Sequence, residues 1–349
     1  MKSEEIARLA GVSRSTVSRV INNYPNVPEE TRERVMKVIR EYHYEPNNSA
    51  RVLAGKGTNT LGLFLFTVHD TKRTNRIYGN SYFAPFVDAV VDTGNYMGYY
   101  ILVHTIYDPS DCCRIKQTFQ QKRIDGGIIV GTERNREIQD IIRELSYPLA
   151  IVDYDPDEIK GIMQEDGSIS VINSNDEKGI NACVDYLVSL GHTEIGLIEG
   201  RDSTYSGLMR SIYFKARMAH HGLKVDDHFI LKGDFIVSST SKAVSKLVKS
   251  GRLPTAIISA NDDMALAAID TFKAHHIRVP EDISIIGYDD APVSAMVKPA
   301  LTTVQVPFFD MAQQAVKSLS GFIESNQQGL QVYNMDVKLI TRESCNQRK

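Results

Sequence analysis

The chain has 349 residues, with 40 Lys and Arg against 43 Asp and Glu, and is 42% hydrophobic and 24% charged. That length suits about two domains plus a small extra module, and the balance excludes a disordered, collagen-like or coiled-coil chain. No apolar run reaches the roughly 18 residues that a membrane-spanning helix needs, and the start Met1-Lys2-Ser3-Glu4-Glu5 predicts no secretory signal, so a cytoplasmic protein without membrane contact is expected.

The net charge of −3 hides an asymmetry, because residues 1–57 hold ten Lys and Arg against seven Asp and Glu. A basic head on an acidic body suggests a head that meets a polyanion. Cys112, Cys113, Cys183 and Cys345 form no CxxC pair, so reduced thiols and no metal site are expected.

In chain order, Ile6, Leu9 and Ala10 recur at helical spacing. Gly11 ends that helix, and Ser13 suits the N-cap of a second. The second helix buries Val17, Val20 and Ile21 and presents Arg14, Ser15, Ser18 and Arg19. A third, from about 29 to 42, has Val35, Val38 or Ile39, and Tyr42 at core spacing, with Glu29, Glu30 and Glu33 where the helix dipole favours them. A helix, a tight glycine turn and a short helix with a polar face describe a helix-turn-helix. Arg14 and Arg19 suit guanine O6 and N7, while Ser15, Thr16 and Ser18 suit phosphates or base edges; Ser13 and Asn22, at the two ends of the helix, are counted with them as candidate DNA contacts. The same pattern also fits a small bundle with a solvated charged face.

From Thr60 the period changes. Apolar runs at 61–66, 99–103, 127–130, 149–152, 170–172, 195–198, 256–259 and 283–286 alternate with helical segments at 83–97, 136–145, 177–190, 205–221, 239–250 and 264–275. This is a doubly wound α/β pattern, and its extent predicts two lobes around a cleft. In such sheets ligands bind beyond the carboxyl ends of strands. Asp153, Asn261 and Asp289 each follow an apolar run, and Arg210 lies early in a helix after another. Carboxylate, amide and guanidinium groups can bond sugar hydroxyls, and Phe235 can lie against an apolar sugar face. Each of these residues singly also fits a helix cap or a surface ion pair.

Several constellations fail as chemistry. The acidic run 153–158 lacks EF-hand spacing, the His220-His221 and His275-His276 pairs cannot face one another on a helix, and no Walker, GxSxG or GxGxxG motif occurs. No catalytic set, no enzyme activity, no cofactor and no metal are expected.

The run Glu5-Ile6-Ala7-Arg8-Leu9-Ala10-Gly11-Val12-Ser13, then Thr16-Val17-Ser18-Arg19-Val20-Ile21-Asn22, Thr31-Arg32-Glu33-Arg34-Val35 and Tyr44-Glu45-Pro46-Asn47, resembles the head of the lactose/galactose repressor family. Ala50-Arg51-Val52-Leu53-Ala54-Gly55-Lys56 is similar to that family's hinge. Gly191-His192, Ala260-Asn261-Asp262-Asp263-Met264-Ala265, Val279-Pro280-Glu281-Asp282-Ile283 through Asp289-Asp290, and Pro299-Ala300-Leu301-Thr302-Thr303-Val304 resemble its periplasmic-binding-protein-like core. Pro28 departs from the usual cap residue but suits a first helical position.

The resemblance implies an all-α helix-turn-helix domain over 1–45, a hinge helix and linker over 46–58, and an α/β two-lobed core over 59–345. Lobe one is expected at 59–163 plus 306–320, and lobe two at 164–305 plus 321–345. It implies a homodimeric transcriptional repressor on a pseudo-palindromic operator, with Ala50 and Leu53 of the hinge in the minor groove. It places Asp153, Arg210, Asn261 and Asp289 in an effector cleft, Phe235 on an aromatic wall and Phe308 at a further aromatic position. The effector implied first is a sugar; a purine or a phosphoprotein partner is the alternative, and a sugar-binding module without regulation is weaker still. The basic stretch around 70–80 departs from the family pattern, so no first-lobe ligand contact is assigned.

Overall fold

A computed structural model describes residues 2–21, 24–44, 57–66, 82–134, 136–325 and 327–348. Asn22, Ala50, Leu53 and the 70–80 stretch therefore lie outside the described residues. The chain divides into two compact units, Met1–Thr58 and Asn59–Lys349.

The first unit contains α1 (Ser3–Leu9), α2 (Arg14–Ile21) and α3 (Glu29–Glu41). Ile6, Ala7, Ala10, Val17, Val20, Val27, Val35 and Val38 form its core. Two expected core positions are not in it: Leu9 and Tyr42 are 42% and 46% exposed. The buried arc of α1 runs through Ile6, Ala10 and Ala7, which leaves Leu9, about 200° round the helix from Ala7, outside it, and Tyr42 is the C-cap of α3, beyond its last turn. Gly11 has φ +64°, the left-handed turn that glycine accommodates without steric cost. Ser13 Oγ then accepts the Thr16 amide at 3.1 Å and starts α2 as an N-cap.

In the second unit, β1 (Thr60–Phe66), α4 (Phe83–Tyr96), β2 (Tyr100–Ile106), α5 (Cys113–Gln120), β3 (Gly126–Val130), α6 (Arg136–Glu144), β4 (Leu149–Val152), α7 (Pro156–Ile162) and β5 (Ser168–Ser174) build the first lobe. The chain then runs through α8 (Asp176–Ser189), β6 (Ile195–Glu199), α9 (Tyr205–His220), β7 (Ile230–Lys232), α10 (Val237–Lys249), β8 (Ala256–Ser259), α11 (Asp262–Ala274), β9 (Ser284–Asp289) and β10 (Thr302–Gln305). It returns through α12 (Phe308–Ser325) and β11 (Gly329–Met335) and ends with β12 (Lys338–Ile340).

The first sheet has the order β11-β5-β4-β3-β1-β2 and the second β12-β10-β9-β8-β6-β7. All neighbours are parallel except β10 and β12. Phe119, Ile138, Ile141 and Ile159 cover one face of the first sheet, and Phe86, Val90, Ala312 and Val316 the other. Ile180, Val184, Phe214 and Met218 cover one face of the second, and Val244, Leu247, Ala265 and Phe272 the other. Strands buried on both faces give the continuous apolar runs seen in the sequence.

The lobe boundaries differ from those expected. β5 pairs with β4, Ile169 opposite Leu149, and β11 pairs with β5, Gly329 opposite Ser168. The first lobe therefore keeps 168–174 and 308–335, and the crossings fall at 174–176, 305–308 and 335–338. A parallel partner is distant in sequence, so a strand's own pattern cannot say which sheet it joins.

Gly179 marks how closely the second lobe packs. A Cβ there would lie 2.2 Å from the Tyr288 hydroxyl. Gly179→Ala is expected to cost about 1–3 kcal/mol by overpacking, read as a lower urea midpoint with unchanged m-value.

Candidate functional site

The carboxyl ends of the two sheets face a cleft lined by Phe66, Tyr82, Phe83, Gly131, Asp153, Thr204, Ser206, Arg210, Phe235, Asn261 and Asp289. Five of the six expected effector residues thus come together. Asp153 stands just beyond β4, Asn261 starts α11, and Asp289 ends β9. Phe308 does not line the cleft; it is buried in the core and meets Tyr82 edge-on, with ring centroids 5.1 Å apart. Its place in the first turn of α12 puts it behind the aromatic wall.

Arg210 is buried on α9 and fixed three ways. Its Nε donates to Asp176 Oδ1 at 3.1 Å, its Nη1 to the Ala260 carbonyl at 2.5 Å, and its guanidinium carbon lies 3.7 Å from the centre of the Tyr288 ring. Asp176 Oδ1 also accepts the Ser174 hydroxyl and the Tyr288 hydroxyl, each at 2.9 Å. These bonds give the buried carboxylate the donors its desolvation requires.

Asp153 reaches across to the second lobe. Its carboxylate accepts the Ser206 amide at 2.8 Å and the Ser206 hydroxyl at 2.7 Å. The Arg134 amide donates to the Ser203 carbonyl at 2.8 Å, and Arg201 pairs with Glu133. These contacts hold the lobes together at the cleft edge. Burial, then the neighbouring Asp176, pushes Asp153 up to about 6 against the lowering effect of the Ser206 bonds and Arg210.

Asp289 is 5% exposed and lines the cleft, and none of the hydrogen bonds found among the described residues ends on its carboxylate. Burial holds its pKa well above the carboxylate range, with Arg210 opposing. Asn261 spends its Oδ1 on the Met264 amide at 2.9 Å, the capping role its position suggested, while still lining the cleft. Phe235 packs on Gly200, where a Cβ would lie 2.2 Å from the ring. Asp153, Phe235 and Asp289 have φ of +65°, +58° and +117°. Left-handed backbone in non-glycine residues costs on the order of 1–3 kcal/mol and gathers at ligand sites.

Sequence reasoning missed the first-lobe wall of Phe66, Tyr82 and Phe83, and the partner roles of Asp176 and Ser206. Phe66 ends the first apolar run, a legible signal, whereas Tyr82 and Phe83 follow the unusual basic stretch.

In the first unit, Ser13, Arg14, Ser15, Ser18 and Arg19 are exposed on or beside α2, and Thr16 is half-buried. Arg14 Nη1 donates to Glu4 Oε1 at 3.2 Å.

Residues 4–47 match the model of bacterial regulatory proteins of the lacI family, and residues 184–345 that of a periplasmic binding protein-like domain. The transcriptional repressor PurR of Aliivibrio fischeri is 31% identical over 98% of this chain and 97% of its own. The chain belongs to the LacI family. It is accordingly a DNA-binding transcriptional regulator with an effector-binding core, as the motifs implied, and not an enzyme. The probable repressor ExuR of Bacillus subtilis is 29% identical over 98% of this chain and 97% of its own. A lac repressor dimer bound to operator and the anti-inducer ONPF shares 26% identity with a TM-score of 0.80, and covers 99% of both chains. A CelR-cellobiose complex shares 26% with a TM-score of 0.74 over the same shares. Among the described residues no helix is long and apolar enough to cross a membrane.

Two variants separate packing from ligand chemistry. Arg210→Ala leaves Asp176 buried without its cation and is expected to cost about 3–5 kcal/mol in denaturant unfolding. Asp289→Asn removes a carboxyl whose native pKa is raised. Between the ordinary aspartate value of about 3.9 and that raised value, the unfolded chain ionises first. The parent is therefore expected to lose stability relative to Asp289→Asn as pH rises above about 4. Urea titrations from pH 4 to 8 check the sign; a parent that gains stability relative to Asp289→Asn as pH rises refutes it.

Proposed function

We propose that this regulator binds a pseudo-palindromic operator as a homodimer, through Arg14, Ser15, Thr16, Ser18 and Arg19 of the second helix with Ser13 and Asn22 at its ends. Ala50 and Leu53 act in the minor groove, and a small polyhydroxyl metabolite, a sugar, in the cleft controls operator affinity. The observation that carries the effector reading is Asp289: a buried carboxylate in the cleft wall with no donor among the described residues, beside Asn261 and Arg210. A ligand bearing adjacent hydroxyls supplies the missing donors, and aromatic rings cover its apolar face. Asp153 and Ser206 tie the lobes at the same place, so a ligand that reaches them alters closure. Only its differential affinity for the two closure states shifts DNA affinity.

A purine is the second reading. Aromatic residues stand on both sides of the cleft, Phe66, Tyr82 and Phe83 from the first lobe and Phe235 from the second, which suits a flat ring. The CelR complex, whose ligand is cellobiose, favours the sugar.

Thermal-shift screening against matched panels of sugars and purine bases decides between them, since a ligand at 100 times its Kd adds about 2.7 kcal/mol. A sugar hit that raises Tm in the parent and not in Asp289→Ala supports the first reading; a shift with purines alone overturns it. In gel shifts Asp289→Ala is expected to keep operator affinity and lose the effector response. Arg19→Ala is expected to cost about 1–3 kcal/mol on the best operator and to relax preference at one base. Operator binding is expected to weaken steeply with salt as counterions are released.

A further inference from the structure

We infer that Glu4 is a positioning residue for base recognition, holding one edge of the Arg14 guanidinium so that its other edge is presented to a guanine. The inference rests on the proposed placement of the second helix against bases and goes beyond it by assigning a role to an acidic side chain on the first helix.

Arg14 is the first residue of α2, and Glu4 lies in the first turn of α1. Their backbone positions are fixed from beneath, because Ile6, Ala7 and Ala10 of the first segment and Val17 and Val20 of the second share one core. The start of α2 is also set: the Ser13 hydroxyl caps the Thr16 amide and lies 2.7 Å from the Ser15 hydroxyl and 2.9 Å from that of Thr16. On this frame the Arg14 to Glu4 bond joins two side chains that are 65% and 64% exposed. An ion pair so open to water adds little to folding, so stability does not account for it.

Its geometry fits a different use. The guanidinium is a rigid fork of five N–H donors. Guanine is recognised by two parallel donors on O6 and N7, which one edge of the fork supplies. Glu4 engages Nη1 and leaves Nε and Nη2 as an edge of that kind. A long side chain loses rotamer freedom when it docks, and one already held loses less. The carboxylate also offsets the Arg14 charge, so Arg14 is drawn less to phosphates anywhere on a duplex. Glu4 thus opposes indiscriminate binding while supporting base selection. These two effects have opposite signs in one residue, which a purely structural role does not produce.

The test uses the full-length chain and an operator selected from random duplexes, with fluorescence anisotropy against every single-base variant of a half-site and against unrelated duplex at several salt concentrations. Arg14→Ala first identifies the base whose preference depends on Arg14. At that base Glu4→Ala is expected to lower discrimination about five- to tenfold, within the range of one bidentate contact. It is also expected to tighten binding to unrelated duplex about two- to threefold, with a steeper salt slope. Glu4→Gln, which keeps an acceptor without the charge, is expected to restore part of the discrimination and guards against a misfolded alanine variant. The double variant is expected to lose no more discrimination than Arg14→Ala alone. Unchanged discrimination in Glu4→Ala, or uniformly tighter binding with the ratio preserved, overturns the inference while the Arg14 placement stands. If Arg14→Ala alters no base preference, the placement itself fails and the inference with it.

Discussion

The buried ion pair between Asp176 and Arg210 is where the core of this regulator is held together. Two charges removed from water are unfavourable unless each is matched and hydrogen-bonded. Here the carboxylate accepts from Ser174, Tyr288 and Arg210, and the guanidinium donates to Ala260 and lies on the Tyr288 ring. The pair sits where the chain first leaves the first lobe, between the end of β5 and the start of α8. It therefore joins the crossing, α9 and β9, and Arg210 brings a positive charge to the cleft already partly balanced from behind.

On that base the cleft is built from conflict. Asp153 and Asp289 are carboxylates under desolvation, and both have raised pKa values. Asp153 is answered by Ser206 across the lobes; Asp289 is answered by no described residue. Three cleft residues hold left-handed backbone without being glycine. Local propensity would not choose such conformations, and these three stand just past β4, at the last residue of β9 and three residues after β7, the kind of place where folding yields to ligand chemistry.

Much of this was legible in the residues themselves. Apolar runs fit for two-faced burial located strands such as β1, β4 and β9, and the polar residue after each run pointed to Asp153 and Asp289. Gly11 and Ser13 fixed the turn before α2. What the pattern could not carry was non-local. The sheet that β5 and β11 join depends on partners far along the chain, so the lobe boundaries moved. Ile6 and Ala10 located the middle of the buried arc of α1, and packing extended it towards Ala7 and not towards Leu9 on the other flank. The Asp176 to Arg210 pair links residues 34 apart in sequence, with no local signature. The aromatic wall at Tyr82 and Phe83 was obscured by the basic stretch before it, and Phe308 carries the right residue type one layer too deep.

The three passages of the chain between lobes also constrain how the core can fail. Each half is assembled from discontinuous stretches, so neither can be excised as a contiguous fragment. A nick in any one passage would leave two covalent tethers intact, and the halves would remain a single molecule. The same threading requires the polypeptide near residue 335 to be in place before the first sheet gains its outer strand. During synthesis that sheet waits for β11, and its unfinished border at β5 is exposed to mispairing until then.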